Sequence, residues 1–178
     1  MAMIRFIVNY FQRTESYSTR KFILEMFLIT LVTKILISLT MFLFVDVFNM
    51  NEALFWAELD KRADSILNGL NWFKAFVLIC IFAPFLESLV GQALPIYLIS
   101  FFSKSRVVQL FFSAFINTML HYPLAIGELI ITFILSVVLA WGYIIYRKQG
   151  FWKAILIITT IHGLYNFIPY LMIYLIPN

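Results

Sequence analysis

Hydrophobic residues in this chain run together rather than recurring at intervals. Five apolar stretches stand out, at residues 22–45, 72–102, 107–122, 128–146 and 151–176, separated by short polar or basic tracts. A helix rises about 1.5 Å per residue, so about 20 apolar residues cross the roughly 30 Å hydrocarbon core of a bilayer. The other spanning architecture, a closed barrel, needs segments of about ten residues with alternating polarity, and the chain has none. The pattern predicts an all-α, polytopic transmembrane helical bundle with about five membrane segments. Residues 1–178 form a single integral membrane domain.

The breaks between the runs add detail. Residues 1–21 lack a long apolar core followed by a small-residue cleavage site, and they read as an interfacial N-terminal segment. Residues 46–71 mix charged and apolar side chains as an amphipathic interfacial helix does. Pro84 lies inside the second run and is expected to bend it. Arg5, Arg13, Arg20 and Lys21 precede the first run, and the turns Ser103-Lys104-Ser105-Arg106 and Arg147-Lys148-Gln149-Gly150 are also basic. By the positive-inside rule these tracts face the cytoplasm, which places the N-terminus there.

Composition agrees, with 63% hydrophobic against 12% charged residues, outside the range of soluble domains. The net charge of +4 sits in tracts flanking apolar runs rather than along one face, which argues for topology signals and against a nucleic-acid partner. Cys80, the single cysteine, excludes an internal disulfide and a multi-cysteine metal site. Trp72 and Trp152 read as interfacial anchors, and Lys34, midway along the first run, either snorkels or lines a cavity.

Candidate chemistry comes from the polar residues inside the runs. An ionisable group in a membrane helix costs about 2.5–3.5 kcal/mol on insertion scales, so each needs a reason. Glu87 follows Pro84, where an opened helix admits water. His162 and Asn166 stand at i and i+4 and share a helix face, and His121 ends a third segment with Asn117 one turn before it. A single such histidine is commonly a helix-to-helix hydrogen-bond partner worth about 0.6 kcal/mol. A Glu, two His and an Asn on three segments together permit hydrolysis. Glu87 and His121 would activate and orient water, and His162 and Asn166 would donate to an oxyanion.

These motifs resemble those of the CPBP family of intramembrane proteases, also called the Abi or CAAX-protease family, which includes prenyl-protein endopeptidases. The similarity covers residues 83–167, a catalytic motif core. It rests on Ala83-Pro84-Phe85-Leu86-Glu87-Ser88-Leu89-Val90-Gly91-Gln92, on Asn117-Thr118-Met119-Leu120-His121, and on His162-Gly163-Leu164-Tyr165-Asn166. The resemblance implies that Glu87 and His121 activate the water while His162 and Asn166 stabilise the oxyanion. The chain departs from the family pattern at three positions: Ser88 stands for a second glutamate, Gln92 for an arginine and Asn117 for a phenylalanine. Ser88 and Gln92, at i and i+4, are expected to hydrogen-bond where the usual pattern has a charged pair, and with Asn117 they make up a supporting shell.

The expected function is an intramembrane glutamic-type endopeptidase that cuts a membrane-associated or hydrophobic peptide. It would use no cofactor, with zinc on Glu87, His121 and His162 as the alternative. Two other functions stay open: a catalytically inactive relative that binds a peptide as an immunity or scaffold protein, and a metal-binding or transport protein. The short chain resembles the bacterial branch, which implies the bacterial inner membrane.

Overall fold

The computed structural model describes residues 18–47, 70–121 and 125–175, with side chains through 172. Residues 1–17, the larger part of the amphipathic stretch and Pro123 lie outside the described residues. Five helical segments account for nearly all of what is described: α1 (Thr19–Val47), α2 (Trp72–Ile99), α3 (Arg106–Leu120), α4 (Ile126–Tyr146) and α5 (Phe151–Leu175). Helices α1, α2, α4 and α5 are long and apolar enough to cross a membrane, and α3, at 15 residues, is shorter. The protein is a polytopic helical bundle.

Helix α2 carries the most information. Asn71 caps its start, its Oδ1 accepting from the Lys74 amide at 2.9 Å. Two π-helical stretches follow, Val77–Phe82 and Glu87–Ala93, each running just ahead of a proline, Pro84 and Pro95. Proline donates no backbone hydrogen bond, and its ring crowds the carbonyl four residues back. Widening the preceding turn, with Ala83 N–H bonded to Leu78 O and Leu94 N–H to Leu89 O, lets the helix continue through both prolines. The distortion expected at Pro84 thus takes the form of a pair of widened turns.

Each proline leaves a carbonyl without its helical donor, and in lipid such a group must be satisfied by protein. Asn166 Nδ2 of α5 donates to Ile79 O at 3.1 Å, five residues before Pro84, and Ser113 Oγ of α3 donates to Gly91 O at 3.0 Å, four residues before Pro95.

The main core lies where α1, α4 and α5 meet the end of α2. Phe22 and Met26 of α1 pack with Tyr143 and Tyr146 of α4, with Ile155, Ile158 and Ile161 of α5, and with Ile96 of α2. The Phe22 and Tyr146 rings lie 4.6 Å apart between centroids, and Thr19 Oγ1 is 2.6 Å from Tyr146 Oη. This places the start of α1 beside the end of α4. At the same end, Arg147 Nη2 donates to Gln109 Oε1 at 3.1 Å and Gln109 Nε2 to Ser103 O at 3.0 Å, which ties the two basic turns together. The opposite end is closed by Ala75, Cys80 and Tyr170, with Tyr170 Oη donating to Trp72 O. Leu24, Leu28, Val32, Ile35, Leu39 and Phe42 of α1 are exposed, an apolar face that suits acyl chains.

Candidate active site

Glu87 opens the second π stretch of α2, His121 caps the C-terminus of α3, and His162 lies in the middle of α5. The structure brings all three together. Glu87 Oε2 is 3.4 Å from His121 Nε2 and 3.6 Å from His162 Nε2. Counted from the basic end at about 1.5 Å per residue, Glu87 is about 18 Å deep, His162 about 16 Å and Asn166 about 22 Å, all within the span of the hydrocarbon core. A cavity of ≈ 190 Å³ surrounds them, lined also by Thr30, Asn117, Ser136, Tyr165 and Asn166. That space is large enough for water, which takes about 30 Å³ per molecule.

His121 is oriented by its own helix. Its Nδ1 lies 2.8 Å from Asn117 O, and because a carbonyl only accepts, Nδ1 carries the proton. In the neutral ring, Nε2 therefore presents a lone pair toward Glu87. A water seated beside the pair, in the cavity they line, can donate one hydrogen to the carboxylate and the other to the imidazole. Asn117 is fixed in turn by its Nδ2 donating to Ser136 Oγ of α4 at 2.7 Å. The side chain fills the space that Gly91 leaves open, and a Cβ at Gly91 would overlap Asn117 Oδ1. Asn117 thus lines the cavity and contacts His121 through its carbonyl, while Asn117 Oδ1 has no hydrogen-bond partner among the described residues.

His162 and Asn166 share a face, as their spacing predicted, but they divide their contacts. His162 Nε2 faces Glu87, whereas Asn166 donates to the Ile79 carbonyl and lines the same cavity. An amide carries two hydrogens, and the Ile79 carbonyl takes one of them. Ser88 and Gln92 are completely buried, and neither Ser88 Oγ nor either end of the Gln92 amide has a hydrogen-bond partner among the described residues. The hydrogen bond expected between them is not formed. Both lie in the π stretch, which replaces the 3.6-residue turn on which the i, i+4 rule rests.

Sequence reasoning missed Thr30, Ser136 and Tyr165. Tyr165 sits inside the quoted motif as a spacer, and Thr30 is a polar position in an apolar run, fully buried with its hydroxyl donating to Met26 O at 2.7 Å. Lys34 does not line the Glu87 cavity. Its ammonium lies 4.5 Å from the centroid of the Tyr165 ring. Among the described residues no set of three or more His, Cys, Asp or Glu side chains is disposed to hold a metal ion.

Fold and site together define a membrane-embedded helical protein with a carboxylate and two imidazoles facing one polar cavity below the membrane surface. Residues 69–168, more than half of the chain, match the family model described as Type II CAAX prenyl endopeptidase Rce1-like, and the chain belongs to that family of membrane endopeptidases. No curated protein and no solved structure matches the chain.

Proposed function

We propose that the protein hydrolyses a peptide bond in a membrane-associated or hydrophobic peptide, with Glu87 as general base. The observation that supports this is the convergence of Glu87, His121 and His162 within 3.6 Å in a cavity with room for water. A water in the cavity, hydrogen-bonded to both Glu87 and His121, gives a proton to the carboxylate while its oxygen adds to the scissile carbonyl carbon. N–H groups of His162 and Asn166 donate to the oxyanion, and the proton on Glu87 passes to the leaving amine as the C–N bond breaks. The reading requires no metal, and a chelator leaves the activity intact.

Basic residues at the ends of the helices support the orientation. Arg20, Lys21, Lys104, Arg106, Arg147 and Lys148 gather at the end where α1 begins and α4 finishes. The positive-inside rule supports reading this end as cytoplasmic, with the N-terminus on the cytoplasmic side of a bacterial inner membrane.

The test compares peptide termini in membranes of cells expressing wild-type or Glu87→Gln protein at equal abundance, with and without chelator. Termini present only with the wild type, and indifferent to chelator, support the glutamate mechanism. Chelator-sensitive termini move the assignment to zinc, and identical termini in both cells move it to a peptide-binding protein.

Asn166 has two tasks, so Asn166→Ala is expected to lower kcat by about 10²–10³ and, by orphaning Ile79 O, to cost about 1–3 kcal/mol of stability. Turnover and thermal denaturation in detergent, read on one preparation, check both effects.

Ser88 and Gln92, buried and without a side-chain hydrogen-bond partner among the described residues, are the observation that favours the second reading, a non-catalytic peptide binder. The wild-type comparison of termini separates the two readings, and Gln92→Leu tests what the buried amide contributes. An amide buried without partners is destabilising by about 1–3 kcal/mol, so the leucine variant is expected to melt higher. If Gln92 is only a replaced support, turnover persists in that variant; loss of turnover with a raised melting temperature would give Gln92 a part in the chemistry.

A further inference from the structure

Thr159, one turn before His162 on α5, departs from what other threonines of this bundle do. Thr30, Thr40, Thr118 and Thr160 each donate the hydroxyl proton to the carbonyl four residues back, at 2.7 or 2.8 Å. Thr159 Oγ1 is shut off from solvent, makes no such bond, and has no hydrogen-bond partner among the described residues. The same is true of His162 Nδ1. A hydroxyl and an imidazole nitrogen, three residues apart on one helix, are thus both buried without a protein partner, and burial makes each costly until it is paired.

Helical spacing places the two within reach of each other. Residues at i and i+3 stand about 5–6 Å apart between Cβ atoms, and a long side chain on a helix leans back over the turn before it, the turn that here holds Thr159. Rotation about one bond, the threonine χ1, re-aims the hydroxyl. The polarity of the site decides which atom donates. His162 Nε2 lies 3.6 Å from Glu87 Oε2, the oxygen toward which His121 Nε2, 3.4 Å away, already turns a lone pair. A second lone pair facing that oxygen would add repulsion, so the neutral His162 ring carries its proton on Nε2. Its Nδ1 is then an acceptor that needs a donor, and a threonine hydroxyl is one.

We infer that Thr159 is a positioning residue whose hydroxyl donates to His162 Nδ1, directly or across one water, and holds the ring in its Nε2–H tautomer. The two imidazoles around Glu87 then hold opposite tautomers, each set by what stands at Nδ1: a carbonyl for His121 and a hydroxyl for His162. The inference rests on the peptidase reading for its consequence, an N–H kept ready for the oxyanion, while the tautomer itself is read without any substrate.

The chain has two histidines, so ¹⁵N-labelled histidine brings only their rings into a nitrogen spectrum. Protein without a histidine tag is recorded in lipid nanodiscs at alkaline pH, where imidazoles are neutral, and His121→Gln identifies the His162 signals. The wild type is expected to show a protonated Nε2 and a bare Nδ1 at His162. Thr159→Val, which keeps the shape and removes the donor, is expected to shift the tautomer ratio toward Nδ1–H by about five- to tenfold, the weight of one hydrogen bond, and to lower kcat while KM holds. Thr159→Ser should restore both the ratio and the rate. Melting curves accompany each variant, and Thr159→Ala takes the place of valine if valine unfolds the protein. A wild-type ring protonated on Nδ1, or a ratio indifferent to loss of the Thr159 hydroxyl, overturns the inference. So does a ratio that moves with Ser88→Ala instead, which would make the other buried hydroxyl the donor. A Thr159-dependent tautomer in a protein that cuts no peptide would remove the peptidase reading and leave Thr159 as the residue that orients His162.

Discussion

Glu87→Gln is expected to lower turnover of a peptide substrate by about 10²–10⁴-fold, the usual contribution of a general base, with little change in melting temperature. The amide keeps the shape and burial of the carboxylate, so the π stretch that begins at residue 87 and its packing against α3 stay in place. What is lost is the ability to take a proton from water. KM is expected to hold, because the substrate contacts in this scheme lie on His162 and Asn166. Turnover of the purified protein in nanodiscs, with its denaturation curve, is the measurement. Wild-type rates in the glutamine variant would remove Glu87 from the mechanism.

Gly163→Ala is expected to have the largest combined effect on stability and activity. A Cβ at Gly163 would overlap the carbonyl oxygen of Cys80, and that contact is with backbone, which no side-chain rotation relieves. Helices α2 and α5 must separate, at about 1–3 kcal/mol as in other overpacked interiors. The adjacent residue is His162, so the separation also draws its imidazole from Glu87, and a misplacement of about 1 Å can reduce rate about 10²-fold. A lower melting temperature and lower turnover should appear together, while Leu164→Ala, next along the chain on an exposed face, should leave both nearly unchanged. Normal stability and turnover in Gly163→Ala would show that the two helices do not pack as closely as described.

Much of this was legible in the sequence, for reasons that particular residues make clear. Apolar runs forced helices because lipid leaves backbone groups no other partner, and the runs at 22–45 and 128–146 fall within α1 and α4. Glu87, His121 and His162 were conspicuous because ionisable side chains are rare in such runs, and the structure sets them around one oxygen. The third run was less accurate: 107–122 was expected, and the helix stops at Leu120, with His121 as its cap. Ser88 and Gln92 were misjudged because the i, i+4 rule presumes an α-helix, and periodicity carries no mark of a π turn. Tyr165 was invisible as a cavity wall because an aromatic residue in a membrane helix ordinarily faces lipid or a neighbour.

The paired prolines of α2 bear on how this bundle chooses its arrangement. Lipid tails are as apolar as leucine, so burying greasy faces does little to decide which helix sits beside which, or at what height. Asn166 and Ser113, reaching the two carbonyls that Pro84 and Pro95 leave open, act as pegs in fixed sockets. Sliding α5 or α3 by one turn would pull a peg from its socket and strand a polar atom in hydrocarbon. The features that interrupt the helix thereby index its neighbours, so that three side chains from three helices arrive at the same level of the membrane.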